Sequence, residues 1–241
     1  MRLLVSVVDA AEARLAVAGG ADIVDVKNPA EGSLGAPEPR TLTRVRDAVP
    51  AGVPLSVAIG DLPSLPGTAA LAALGAARCG AAYVKVGLMG PSTRAEAVAV
   101  VRAVREAVDG RAAVIAAAYA DAARVPGEPL PPHELVAAAA EGGATGCLLD
   151  TAVKDGRGLL AWLSLDTLSG LVADAHGAGL EIGLAGELRA EDLPAIRATG
   201  ADLAGVRSAA CHGGRRTAPL DPARIERLRA LCAADARRVA S

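Results

Sequence analysis

The chain has 241 residues, of which 52% are hydrophobic, 22% charged and 1% aromatic, a length that fits a single domain spanning residues 1–241. Its 25 basic and 27 acidic side chains leave a formal charge of −2, and with one Trp, two Tyr and no Phe it lacks the basic field and stacking surfaces of a nucleic-acid binder. The longest apolar run, Ala112 to Ala120, is about half the ~18 residues of a membrane helix, and no basic start with an apolar h-region precedes it, so a cytoplasmic protein without membrane association is expected.

Short apolar or β-branched runs alternate with helical patterns eight times along the sequence. The expected strands cover residues 3–8, 22–27, 55–60, 82–86, 113–118, 146–150, 181–185 and 202–207, each of the length that suits a strand buried on both faces. Asp9-x-x-Glu12 opens the first helix and Gly19-Gly20 closes it. Thr93-x-x-Glu96 is a capping box before Val98, Val100, Val101, Val104 and Val108, with a stop at Gly110. Residues 125–132 are proline-rich and read as the loop after the fifth strand. Asp221-Pro222 supplies an N-cap and a first-turn proline for a last helix expected to reach about Val239. Gly-Ala pairs at 20–21, 80–81, 143–144, 177–178 and 200–201 each stand where a helix stops and a strand is about to begin. Eight units of roughly 30 residues, with no GxGxxG after the first strand, favour a closed (β/α)8 TIM barrel over a doubly wound sheet.

Only three of the 25 basic residues are lysine: Lys27, Lys85 and Lys154. A composition this rich in alanine and arginine replaces lysine wherever either cation serves, but guanidinium stays protonated and forms no imine, so a reactive amine resists the exchange. Lys27 ends the second strand, Lys85 lies near the end of the fourth, Asp150 ends the sixth and Lys154 follows in its loop. Period-two alternation puts Asp25 on the side of Lys27. In a barrel the even-numbered strands share interior layers and the chemistry sits at their C-terminal ends. The expectation is a cluster of three amines and two carboxylates at the barrel mouth. There burial and a neighbouring ammonium lower one amine's pKa for attack on a carbonyl, while the others move protons. The bland reading, three solvated or ion-paired lysines, requires all three to reach the catalytic rim by chance.

The eighth strand runs into Arg207, Ser208, Cys211, His212, Gly213, Gly214, Arg215 and Arg216, and Gly186 follows the seventh. Barrels grip phosphate with these two loops, so Gly186, Arg207, Ser208, His212, Gly213, Gly214 and Arg215 are the expected phosphate ligands. Residues 28–35, polar and Gly-rich, follow Lys27 and are expected to cover the site or hold a second phosphate. His133 reads as a capping or surface side chain, and His176 suits the C-terminal end of its helix. Cys79, Cys147, Cys211 and Cys232 stand far apart and read as reduced thiols. No His, Cys, Asp or Glu set has metal-ligand spacing, so neither metal nor cofactor is expected.

The opening Leu3–Val7 run, the block from Gly19 through Asp25, Lys27 and Asn28 to Gly35, the Tyr83-Val-Lys85-Val-Gly87 strand, Asp150-Thr151-Ala-Val-Lys154 and Cys211-x-Gly-Gly-Arg215 closely resemble the (5-formylfuran-3-yl)methyl phosphate synthase family of methanofuran and methylofuran biosynthesis. The resemblance covers essentially the whole chain. It implies a TIM barrel that condenses two glyceraldehyde 3-phosphate molecules into a phosphorylated furan aldehyde, with loss of phosphate and water. It also implies Schiff-base formation at Lys27, proton transfer at Lys85, and Asp25, Asp150 and Lys154 in the same pocket. Triose phosphates are the expected partners, with self-association open. The composition looks bacterial, which leaves the destination of the product open. Two other readings stand beside it: a different Schiff-base aldolase acting on sugar phosphates, and a barrel that only binds a phosphorylated ligand.

Overall fold

In the computed structural model, which describes residues 1–233, every expected strand forms. They are β1 (Arg2–Val7), β2 (Ile23–Val26), β3 (Leu55–Asp61), β4 (Tyr83–Gly87), β5 (Ala113–Tyr119), β6 (Gly146–Asp150), β7 (Glu181–Leu184) and β8 (Leu203–Val206). Each pairs in parallel with its sequence neighbour, and β8 returns to β1, so the sheet closes into a barrel. Eight helices surround it: α1 (Ala10–Ala18), α2 (Pro39–Ala48), α3 (Pro66–Arg78), α4 (Arg94–Val108), α5 (Leu135–Gly142), α6 (Leu165–Gly177), α7 (Leu193–Ala198) and α8 (Pro222–Cys232). The architecture is a single (β/α)8 TIM barrel.

Alternation along the strands divides the core into two layers. Leu3, Val5 and Val7 of β1 face outward with Val24 and Val26 of β2, on the side of helix residues such as Ala13, Ala16, Ile225 and Leu228. Leu4, Ile23 and Leu203 face inward with Ile115, Ala117 and Leu148. At ~1.5–3 kcal/mol for each large apolar side chain taken from water, these layers supply most of the driving force.

The helix ends follow local chemistry. Asp9 accepts from Glu12 N–H, and Thr93 with Glu96 forms the expected capping box. Asp221 accepts from Ala223 and Arg224 N–H at the start of α8. That helix stops at Cys232, where Ala233 turns to extended backbone; its expected continuation over 234–239 lies outside the described residues. No helix among the described residues is long and apolar enough to cross a membrane.

Candidate active site

The C-terminal mouth of the barrel holds a pocket lined by Ser6, Asp25, Lys27, Lys85, Asp150, Lys154, Glu187, Arg207 and Arg216, with Leu4, Leu148 and Ala185 as its floor. All three lysines of the chain meet there with Asp25 and Asp150. Strand parity accounts for the convergence. Asp25 faces inward beside Ser6, Lys85 is level with Ala58 and Ile115, and Asp150 is level with Tyr119. Lys27 lies one residue beyond β2, but its N–H still donates to Val7 O at 3.1 Å, so the ladder fixes its direction.

The charges are buried: Asp25 is 0% exposed, Lys85 2%, Asp150 2% and Lys27 5%. Such charges require partners, and two of the lysines have them. Lys85 Nζ lies 2.7 Å from Asp25 Oδ1, an ion contact off the line of a hydrogen bond. Asp25 Oδ2 accepts from Ser6 Oγ at 3.0 Å. Lys154 Nζ donates to Asp150 Oδ1 at 2.7 Å and to Thr151 Oγ1 at 3.0 Å. The Lys154 loop is tied down by Asp121, which accepts from Ala152 and Val153 N–H.

Lys27 has neither a hydrogen bond nor an ion pair among the described residues. Burial pushes its pKa down to about 7; Asp150 and Asp25 act against the shift, and Lys85 and Lys154 add to it. Burial alone would raise Asp150, but Lys154, Lys27 and the Thr151 N–H outweigh it and hold the carboxyl well below its ordinary value. At neutral pH the site therefore contains one amine near half-deprotonation between two lysine–carboxylate pairs.

The β8 side divides the expected phosphate ligands. Gly186, Arg207 and Ser208 line the cavity, and Gly214 lines an adjoining hollow that shares Glu187, Ser208 and Arg216 with it. His212, Gly213 and Arg215 are exposed and line neither, and His212 Nδ1 sits 3.4 Å from Asp221 Oδ2. Arg207 is committed elsewhere: it bridges both oxygens of buried Glu12 and donates to Ser6 O and Arg216 O. Burial opposes its charge, but Glu12 raises its pKa further still. Arg216, its neighbour Arg215 having been the expected ligand, makes no side-chain hydrogen bond or ion pair among the described residues, and burial lowers its pKa. Adjacent residues of a short turn point apart, and no sequence signal separates them.

The other singled-out side chains lie apart from this cavity. His133 is exposed, and His176 Nε2 pairs with Asp202 Oδ2 at 3.0 Å. Cys211 is a buried thiol donating to Arg207 O. Burial raises its pKa, which disfavours the nucleophilic thiolate. Among the described residues, no group of three or more His, Cys, Asp or Glu is arranged to hold a metal ion.

Comparison with known proteins agrees with this geometry at two depths. Solved structures share the fold at low identity. A 3-hexulose-6-phosphate synthase superimposes with a TM-score of 0.61 at 22% identity over 97% of this chain and 100% of that one. Phosphoribosyl anthranilate isomerase from Thermus thermophilus does so with a TM-score of 0.58 at 19% identity, covering 96% and 98%. Curated relatives lie much nearer. The (5-formylfuran-3-yl)methyl phosphate synthase of Methanocaldococcus jannaschii is 45% identical over 96% of this chain and 100% of its own. That of Methanopyrus kandleri is 49% identical over 89% and 91%. The family model described as 4-HFC-P synthase matches residues 3–229. With a match that takes in every lysine of the mouth, the chain belongs to the 4-HFC-P synthase family.

Proposed function

We propose that the protein is a Schiff-base synthase that condenses two glyceraldehyde 3-phosphate molecules into (5-formylfuran-3-yl)methyl phosphate, with loss of phosphate and water. One observation carries the reading: of three lysines in one cavity, Lys27 alone lacks a carboxylate partner, and its pKa lies near 7. A neutral amine attacks a carbonyl; an ion-paired ammonium does not. The Lys27 imine acidifies the adjacent carbon, and the enamine formed by losing that proton adds to the aldehyde of the second triose. Phosphate then leaves by β-elimination, ring closure and dehydration remove two waters in all, and hydrolysis of the imine frees Lys27 and releases the aromatic aldehyde.

Lys85, paired with Asp25, and Lys154, held by Asp150, are the proton carriers on either side of the amine. Asp150 stays ionised throughout and stabilises the iminium charge that forms at Lys27. Arg216, uncommitted and facing the cavity, clamps a phosphate through its planar fork, with Ser208 beside it. Arg207, held by Glu12, is the fixed wall behind them.

Borohydride reduction with glyceraldehyde 3-phosphate present, followed by peptide mapping, tests the assignment. A triose-derived adduct is expected on Lys27; an adduct only on Lys85 or Lys154 would exchange the nucleophile and its helper. Incubation without borohydride should release inorganic phosphate and build a strong ultraviolet chromophore. A linear sugar phosphate without phosphate release would make the protein an aldolase of another kind. Lys27→Arg should fold and bind phosphate but lose turnover; retained function would make it a binding barrel.

A further inference from the structure

The loop after Lys27 closes one half of the barrel mouth. Residues 28–35 turn back on themselves, with Asn28 N–H donating to Gly35 O at 2.8 Å. Leu34 is fully buried in one inward-facing cluster with Ala58, Ile115, Ala117, Tyr119, Leu148 and Ala185. Small residues of β3 and β5 leave the space it fills, and no side chain of those strands reaches the Lys27 cavity. The loop is pinned at two points: Ser33 Oγ donates to Thr151 O at 3.0 Å, and Leu34 N–H donates to Asp61 Oδ2 at 3.1 Å.

Asp61 is a half-buried carboxyl that the reaction above does not use. It ends β3, where a register slip between Ala58 and Asp61 turns it toward the mouth. Its Oδ1 accepts from the hydroxyl of Tyr119, itself wholly buried. Gly87 makes the pair possible, because a Cβ there would overlap Asp61 Oδ1 and crowd the Tyr119 oxygen. The two oxygens of one carboxyl thus join the barrel wall to the loop.

We propose that Asp61 is a positioning residue: braced by Tyr119, it holds Leu34 in the packed group whose members Leu148 and Ala185 line the Lys27 chamber, and so keeps water from the amine from that side. The inference rests on the reading of Lys27 as the reacting amine. Charges of both signs face that amine from every side: Asp25 and Lys85, Asp150 and Lys154, Asp61 from β3, and Glu187, Arg207 and Arg216 from the β7 and β8 loops. Their effects largely oppose one another, so dehydration is what remains to set the amine, and the packed group supplies it.

Competitive labelling with acetic anhydride across pH tests this without substrate, so its result is independent of what the protein condenses. With only three lysines, each midpoint is readable by peptide mass mapping. In Asp61→Ala the Lys27 midpoint should rise by at least one pH unit, and the Leu34 amide should exchange with deuterium at least tenfold faster. Asp61→Asn, which keeps an acceptor for the loop, should restore both to near the parent values. An Asp61→Ala protein that folds yet leaves both readouts unchanged overturns the proposal, as does an Asp61→Asn protein that behaves like Asp61→Ala. Should Asp61→Ala not fold, Leu34→Ala takes its place: a raised Lys27 midpoint supports the proposal, and an unchanged one refutes it.

Discussion

Lys27 owes its character to what surrounds it rather than to a dedicated partner. Its amine is depressed by burial, so the folded state disfavours the charged form. The sign follows by linkage: between about 7 and the ordinary 10.5 the unfolded chain binds the extra proton, and stability from this residue rises with pH across that window. Below it the full cost of burying the ammonium remains, about 1.4 kcal/mol for each pH unit between the folded and unfolded midpoints. Lys27→Met should therefore be more stable than the parent in urea at pH 6, with the gap narrowing toward pH 10. In the parent, kcat/KM should fall about tenfold per pH unit below 7, as the neutral amine is lost. The pair Arg215 and Arg216 offers a sharper residue-level comparison. Arg216→Ala removes a charge-assisted clamp, so KM should rise on the order of 10- to 100-fold. Arg215→Ala should leave KM within about twofold, since that side chain faces solvent. The lysines were legible because an arginine-rich composition makes each survivor conspicuous. Which of two adjacent arginines faces inward was not, because it depends on the turn the chain takes after β8.

Elements were read from the sequence with small errors at their ends, and each error has a local cause. Asp22 and Asp202 fall just outside β2 and β8 because their carboxylates accept from Leu3 and Ile182 N–H on neighbouring strands. The Gly-Ala punctuation holds at Gly20, Gly80, Gly143 and Gly200, which all adopt positive φ after their helices, whereas Gly179 takes that role in place of Gly177. Asp61 escaped notice because the register slip at the end of β3 reverses its facing, and alternation places it outside. Tyr119 was within reach, since it continues the inward set Ile115, Ala117. The contact between α1 and the loop after β8 has no local signature at all: Glu12 and Arg207 are 195 residues apart. Removing one side of that buried pair leaves the other uncompensated, so Glu12→Ala should cost about 3–5 kcal/mol. Glu96→Ala, in the exposed capping box of α4, should cost nearer 1 kcal/mol. Urea denaturation of both variants at pH 7 checks the contrast.

At the scale of the molecule, β1 is hydrogen-bonded to β2 and β8, and no strand is an edge. The outer core layer runs continuously around the barrel, so no strand can leave alone. Calorimetry should accordingly show one unfolding transition, with calorimetric and van't Hoff enthalpies in agreement; two resolved peaks would mean that part of the barrel melts independently. The closed sheet was legible from eight repeats of one pattern, because each unit carries its own strand run and helix punctuation. Where the mouth would be roomy and where plugged was not, since that follows from side-chain volumes meeting across the axis. The vestibule owes its existence to residues that decline to fill it: Ala185 and Gly205 line it, where a scaffold built for endurance would carry bulk. Selection for heat resistance alone should drive those positions toward valine or leucine and yield rugged cylinders with nowhere for a guest to sit.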